Sequence, residues 1–278
     1  EQVFLGLSGK PWSAGKLRLE HRPGDYMLRA RHLNLDDLSA FLATLSEEYA
    51  VPEWLRSLKP TGDLDDFVLQ LRGDPTAPTT YSLQTGIRAL SVQAYDRIPG
   101  VQGLSGRLSL DTTSGELQLA TGKSTLHMPR LFPVPVSLRR ASGRLAWQRT
   151  DSQWQIDGTG LDVAADDGRV TGGFQASLPH DTGQSPLLKL RLDFANMNGA
   201  HAANYYPVAL PEVLRHWLTR AVVSGRVTTG HVIYSGALRD FPFRAGNGRF
   251  EVAAHVTEGV FEYLPGWPLP EEMSLGDI

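Results

Sequence analysis

The amino-acid sequence predicts a mainly β chain, an elongated, twisted antiparallel β-sheet curled into an apolar groove, with a few short helices as plugs or rim. Three observations carry that expectation. Apolar residues recur at every second position over much of the chain, the period of a strand with one dry and one wet face. Turn signals separate these runs, with Ser-Gly at Ser8-Gly9, Ser105-Gly106, Ser114-Gly115, Ser142-Gly143, Ser224-Gly225 and Ser235-Gly236. Only two stretches switch to helical spacing.

In chain order, Leu17/Leu19 and Tyr26/Leu28/Ala30 flank the turn Pro23-Gly24 and read as a hairpin. Asn34 or Asp36 can then cap a helix over Leu35–Leu45, whose Leu38, Phe41, Leu42 and Leu45 fall on one face. A second turn of helix starts at Pro52, which suits the first helical position, and carries Trp54. Strand patterns resume with Phe67/Leu69/Leu71, Leu108/Leu110, Leu117/Leu119, Leu145/Trp147, Trp154/Ile156 and Phe174/Ala176/Leu178. The cleanest run is Leu188-Lys189-Leu190-Arg191-Leu192-Asp193-Phe194. Pro211 opens the last helix, Glu212 to Ala221, and Phe250/Val252/Ala254/Val256 closes the series. The count is about fifteen short strands at roughly 8–12-residue spacing, an antiparallel layout.

Repeats favour an array over two closed domains. Val51-Pro52-Glu53-Trp54-Leu55-Arg56-Ser57-Leu58 echoes Leu210-Pro211-Glu212-Val213-Leu214-Arg215-His216-Trp217, and Leu104-Ser105-Gly106-Arg107-Leu108 echoes Ala141-Ser142-Gly143-Arg144-Leu145. Residues 1–278 therefore read as one continuous segment of a repetitive β-groove, with helical insertions at 33–60 and 200–224. The chain opens and stops on strand-like sequence without an initiating Met, so it reads as an excised piece of a longer polypeptide.

Composition narrows the function. A net charge of −3 excludes nucleic-acid binding through global positive charge. The absence of Cys excludes thiol nucleophiles, Cys-based metal sites and disulfides. No run approaches the apolar length of a membrane span. The eight histidines are scattered without metal-ligand spacing, and no P-loop, GxGxxG or GxSxG occurs, so neither metal nor cofactor is expected. Asp63/Asp65/Asp66 and Asp162/Asp166/Asp167 are the acidic clusters, but they fall on polar strand positions and a hairpin turn. A carbohydrate-active enzyme using Asp63 or Asp65 is a remote alternative.

What remains is the dry face itself. Few helices cannot cover a sheet roughly 70 Å long at about 4.8 Å per strand. Either two strand sets close as a sandwich, or the sheet curls and leaves an apolar trough for a ligand or partner.

One block of residues then resembles a known family. Asn204-Tyr205-Tyr206-Pro207, Leu210-Pro211, Leu214, Trp217-Leu218, Ala221 and Gly225-x-Val227-x-x-Gly230 are similar to a stretch of the AsmA-like proteins, in their YhdP-type branch. Gly236-Ala237-Leu238-x-Asp240-Phe241-Pro242-Phe243, Gly246-x-Gly248-x-Phe250 and Tyr263-x-Pro265-x-Trp267-Pro268 continue it, and Ile98-Pro99-Gly100-Val101-x-Gly103-Leu104-Ser105-Gly106-x-Leu108 extends it upstream. The resemblance implies a periplasmic segment of a bridge-like phospholipid conduit between inner and outer membranes, with no catalytic residues. It further implies a parent chain anchored in the inner membrane outside this segment, and envelope proteins as further partners. The alternative is a periplasmic structural or protein-interaction scaffold with a closed β core and no lipid.

On that reading the groove lining is Leu17, Leu19, Leu28, Leu69, Leu71, Leu108, Leu110, Leu117, Leu119, Ile156, Phe174, Leu190, Leu192, Phe194, Phe250 and Val252. Phe41, Trp54, Tyr205, Tyr206 and Trp217 are the expected plug or rim, packing a local core being the plainer role for each.

Overall fold

The computed structural model describes residues 6–7, 10–11, 17–37, 57–74, 77–96, 98–208 and 212–261. They form fifteen strands, and every pairing is antiparallel. Strands β1 (Gly6–Leu7) and β2 (Lys10–Pro11) pair only with each other. All others belong to one sheet whose spatial order follows the chain: β3 (Leu17–Arg22), β4 (Asp25–Asn34), β5 (Thr61–Asp74), β6 (Ala77–Val92), β7 (Gly100–Asp111), β8 (Ser114–Thr121), β9 (Ser124–His127), β10 (Val136–Arg149), β11 (Gln153–Ala165), β12 (Gly168–Pro179), β13 (Leu187–Asn198), β14 (Val222–Ala237) and β15 (Arg249–Phe261). Strands β8 and β9 both lie between β7 and β10, so they are two halves of one lane. Twelve lanes at about 4.8 Å span about 50 Å, shorter than fifteen separate strands would.

Because each strand simply reverses into the next, the connections sort onto two margins. One margin holds the tight turns Pro23-Gly24 and Thr112-Thr113, together with the longer β12–β13 and β14–β15 loops. Both predicted helical stretches emerge at the opposite margin. There Asn34 caps a helical turn, its Oδ1 accepting from the Asp37 backbone N–H at 3.0 Å. The second stretch comprises a 3-10 turn, Gly199–Tyr205, and helix α1 (Glu212–Ala221), which begins directly after Pro211.

The strands are bent as well as paired. Each of β5, β6, β7 and β10 to β15 contains at least one residue with left-handed backbone: Asp66, Ala89, Gly103, Gly143, Gly160, Gly172, Asn196, Gly225 and Glu258. Register shifts accompany several of them, between Asp65/Val68, Ile87/Leu90, Ser142/Arg144 and Gly158/Leu161. Strands β3 and β4 have none, and in the β8/β9 lane, which also has none, the strand is interrupted between Thr121 and Ser124. Bulges of this kind bend a strand and increase its twist, so the sheet is creased across the lanes that carry them.

Among the described residues the only other sheet is the two-residue-long β1–β2 pair. A small core forms near the β3 end, where Ala30, Leu33 and Phe67 are buried with Leu17, Leu28, Leu64, Leu69 and Leu83 around them. Elsewhere only scattered residues such as Ile87, Ala141 and Phe243 are buried, and no large side chain is fully enclosed among the described residues.

Candidate functional site: a continuous apolar face

Cross-strand partners share a face of a sheet, so the register decides which residues meet. Leu19 stands opposite Leu28, and the row continues through Leu69, Leu83, Leu110, Gly115, Trp147, Ile156, Ala176 and Leu188 to Gly236. A second row runs Thr85, Leu108, Leu117, Leu145, Gly158, Phe174, Leu190, Tyr234 and Phe250. A third alternates glycine with leucine, Gly106–Leu119–Gly143 and Leu161–Gly172–Leu192, before Val232 and Val252. Leu17 pairs with Ala30, Leu71 with Tyr26 and Tyr81, and Phe194 with Val170 and Gly230. All sixteen residues singled out for the lining therefore stand on one face.

None of the sixteen is buried. Leu19 is 39% exposed, Phe250 47% and Val252 52%. In a sandwich these side chains would be closed off by an opposing sheet. Here the apolar rows are open to the medium along the described sheet.

The other face carries the charge. Arg144 pairs with Glu116 at 2.7 Å, Arg169 with Asp162 at 2.7 Å, and Arg88 with Asp65 at 3.0 Å. These pairs hold the Glu116 and Asp162 carboxyls below their usual range, through the arginine hydrogen bonds first. Asp63 and Asp65, the residues of the enzyme alternative, are both tied to His32 and Arg88. An open depression of about 840 Å³ between Asp65, Arg88, Arg107 and Gln118 lies on this polar face. No group of three or more His, Asp or Glu side chains with metal-holding geometry occurs among the described residues.

Tyr205 and Tyr206 sit at the insertion margin, both half-buried. The Tyr205 hydroxyl donates to Asp167 Oδ2 at 2.9 Å, His201 Nδ1 meets Asp167 Oδ1, and the Tyr205 ring packs edge-on against Phe132. Burial raises the Asp167 pKa, but the bonds from His201 and Tyr205 outweigh it and hold the carboxyl below its usual range. Burial, then the bond to Asp167, pushes the Tyr205 phenol up. Trp217 belongs to α1, while its side chain, like Phe41 and Trp54 altogether, lies outside the described residues.

Several face residues had been passed over. Leu83 belongs to a plain alternation, Tyr81/Leu83/Thr85/Ile87, that was available in the sequence. Val232 and Tyr234 were hidden because Val232-Ile233-Tyr234 is uniformly apolar and shows no period.

Comparison with known proteins adds to this geometry. The family model described as "YhdP protein" matches residues 1–275. The chain is also similar to the intermembrane phospholipid transporter YhdP of Escherichia coli (strain K12), 25% identical over 280 residues, covering 95% of this chain and 22% of that relative. The chain thus spans about a fifth of the length of the relative it matches. No solved structure matches. A model match along nearly the whole chain, on a sheet carrying one open apolar face, places this protein in the YhdP family.

Proposed function

We propose that this chain is a periplasmic segment of a phospholipid conduit between the inner and outer membranes. Acyl chains lie along the open apolar face, and head groups remain in water at its margins. The observation that carries this reading is the row of directly paired, mostly apolar residues from Leu19 on β3 to Gly236 on β14, with none of the sixteen lining residues buried. The transport of phospholipid named for the E. coli relative supports it from an independent side.

The physics asks for little else. Each methylene kept from water is worth about 0.8 kcal/mol, so a uniform apolar wall holds an acyl chain without a deep local trap. Neither acid, base nor nucleophile is required, and the carboxylates of the polar face are engaged with arginine and histidine. The sixteen face residues are assigned as lining, and Phe41, Trp54, Tyr205, Tyr206 and Trp217 as plug or rim. The parent chain is assigned an inner-membrane anchor outside this segment.

Photo-crosslinking tests the assignment. Probes replacing Leu119, Leu192 or Val252 are expected to capture phospholipid from vesicles, whereas probes at Gln118, Arg191 or Glu251, on the other face, are not. Equal capture from both faces sinks the proposal.

A further inference from the structure

Three aromatic side chains on the apolar face lie across glycines of the neighbouring strand. The Trp147 indole occupies the space where a Cβ on Gly115 would stand, and the Phe174 ring does so at Gly158. The Phe194 ring covers Gly230 in the same way. Each pair is in direct register, Trp147 with Gly115, Phe174 with Gly158 and Phe194 with Gly230. A fourth ring reaches the face from the β14–β15 loop, where buried Phe243 covers Gly236 and Gly248.

Glycine at the first two positions is not a backbone requirement, whereas a Cβ on Gly230 would also meet the Ala253 carbonyl oxygen. None of Gly115, Gly158 and Gly230 has left-handed backbone, in contrast to Gly143 and Gly172 on the same face. At Gly115 and Gly158 the nearest atoms a side chain would meet all belong to the rings. With any larger residue there, the ring has to leave the sheet surface, and the open side of the sheet is where the acyl path runs.

We infer that Gly115 and Gly158 are clearance residues, which let Trp147 and Phe174 lie flat so that the path above them stays passable to an acyl chain. This rests on the lipid path proposed above. The bland alternative is that a ring over a glycine only stabilises the sheet by covering exposed backbone. The two differ in what a raised ring does to bound lipid.

The test uses photo-crosslinkers at Leu145 and Leu190, the residues that flank the Gly158–Phe174 pair in its row. The purified chain is incubated with vesicles of phosphatidylethanolamine and phosphatidylglycerol, and lipid capture is read with and without Gly158→Ala. Capture is expected to fall about tenfold, the weight of roughly two displaced methylenes. Unchanged capture in Gly158→Ala alongside a lower melting temperature overturns the inference in favour of a structural role. If Gly158→Ala does not fold, Gly115→Ala is read in its place with photo-crosslinkers at Leu110 and Ile156, which flank the Gly115–Trp147 pair: reduced capture supports clearance, and unchanged capture overturns it. Absence of capture in the unsubstituted protein overturns the lipid path instead, and the clearance role with it.

Discussion

At the scale of single residues, carboxylates organise the turns and rims. Asp111 ends β7 and closes the turn to β8, its Oδ1 accepting from the backbone N–H groups of Thr113 and Ser114 at 2.8 Å each. The Thr113 backbone bond, followed by the Ser114 bonds, lowers its pKa from 3.8 to about 2. A carboxyl lowered on folding stabilises the folded state above its unfolded pKa and loses that contribution as pH falls through the folded one. The β7–β8 turn is therefore expected to keep its bonds down to pH 3.8 and to lose them on titration toward about 2. NMR titration of the Asp111 side chain reads this directly; a midpoint at the ordinary carboxylate value refutes it. At the insertion margin, Tyr205→Phe removes the bond to Asp167 and is expected to weaken the hold on the Gly199–Tyr205 turn by about 1 kcal/mol. Faster hydrogen exchange at Ala203 to Tyr206, with strands β10 to β13 unaffected, is the result that checks it.

Among the elements, the crease is the feature that the sequence concealed. Alternation exposed the apolar face because burial on one side leaves a period of two. The bends are not periodic, and four of them fall on Asp66, Ala89, Asn196 and Glu258, which carry no glycine signal. At Gly143, by contrast, glycine is required by a φ of +145° and by the close approach of Leu161. Gly143→Ala is expected to destabilise the chain by roughly 1–3 kcal/mol, measured as a lower urea midpoint. The helical stretches were legible in part: Pro211 and Asn34 announced their starts, because capping is local chemistry. The margin to which both belong follows from strand parity, which only the completed topology reveals. The Tyr205–Asp167 contact joins residues 38 apart and had no local signature either.

For the molecule as a whole, twelve lanes join in a single sheet. In solution scattering, the maximum dimension is expected to pass well beyond the ~50 Å of a compact sphere of this chain length; a value near that sphere contradicts an uncovered sheet. The crease carries one last consequence. Since the bend is written into each strand separately, curvature needs no closure with a distant partner. Such a profile can be extruded: adding a hairpin lengthens the sheet without changing its cross-section. Growth by copying strand pairs, of which Leu104–Leu108 and Ala141–Leu145 look like a trace, then alters reach while leaving the calibre untouched.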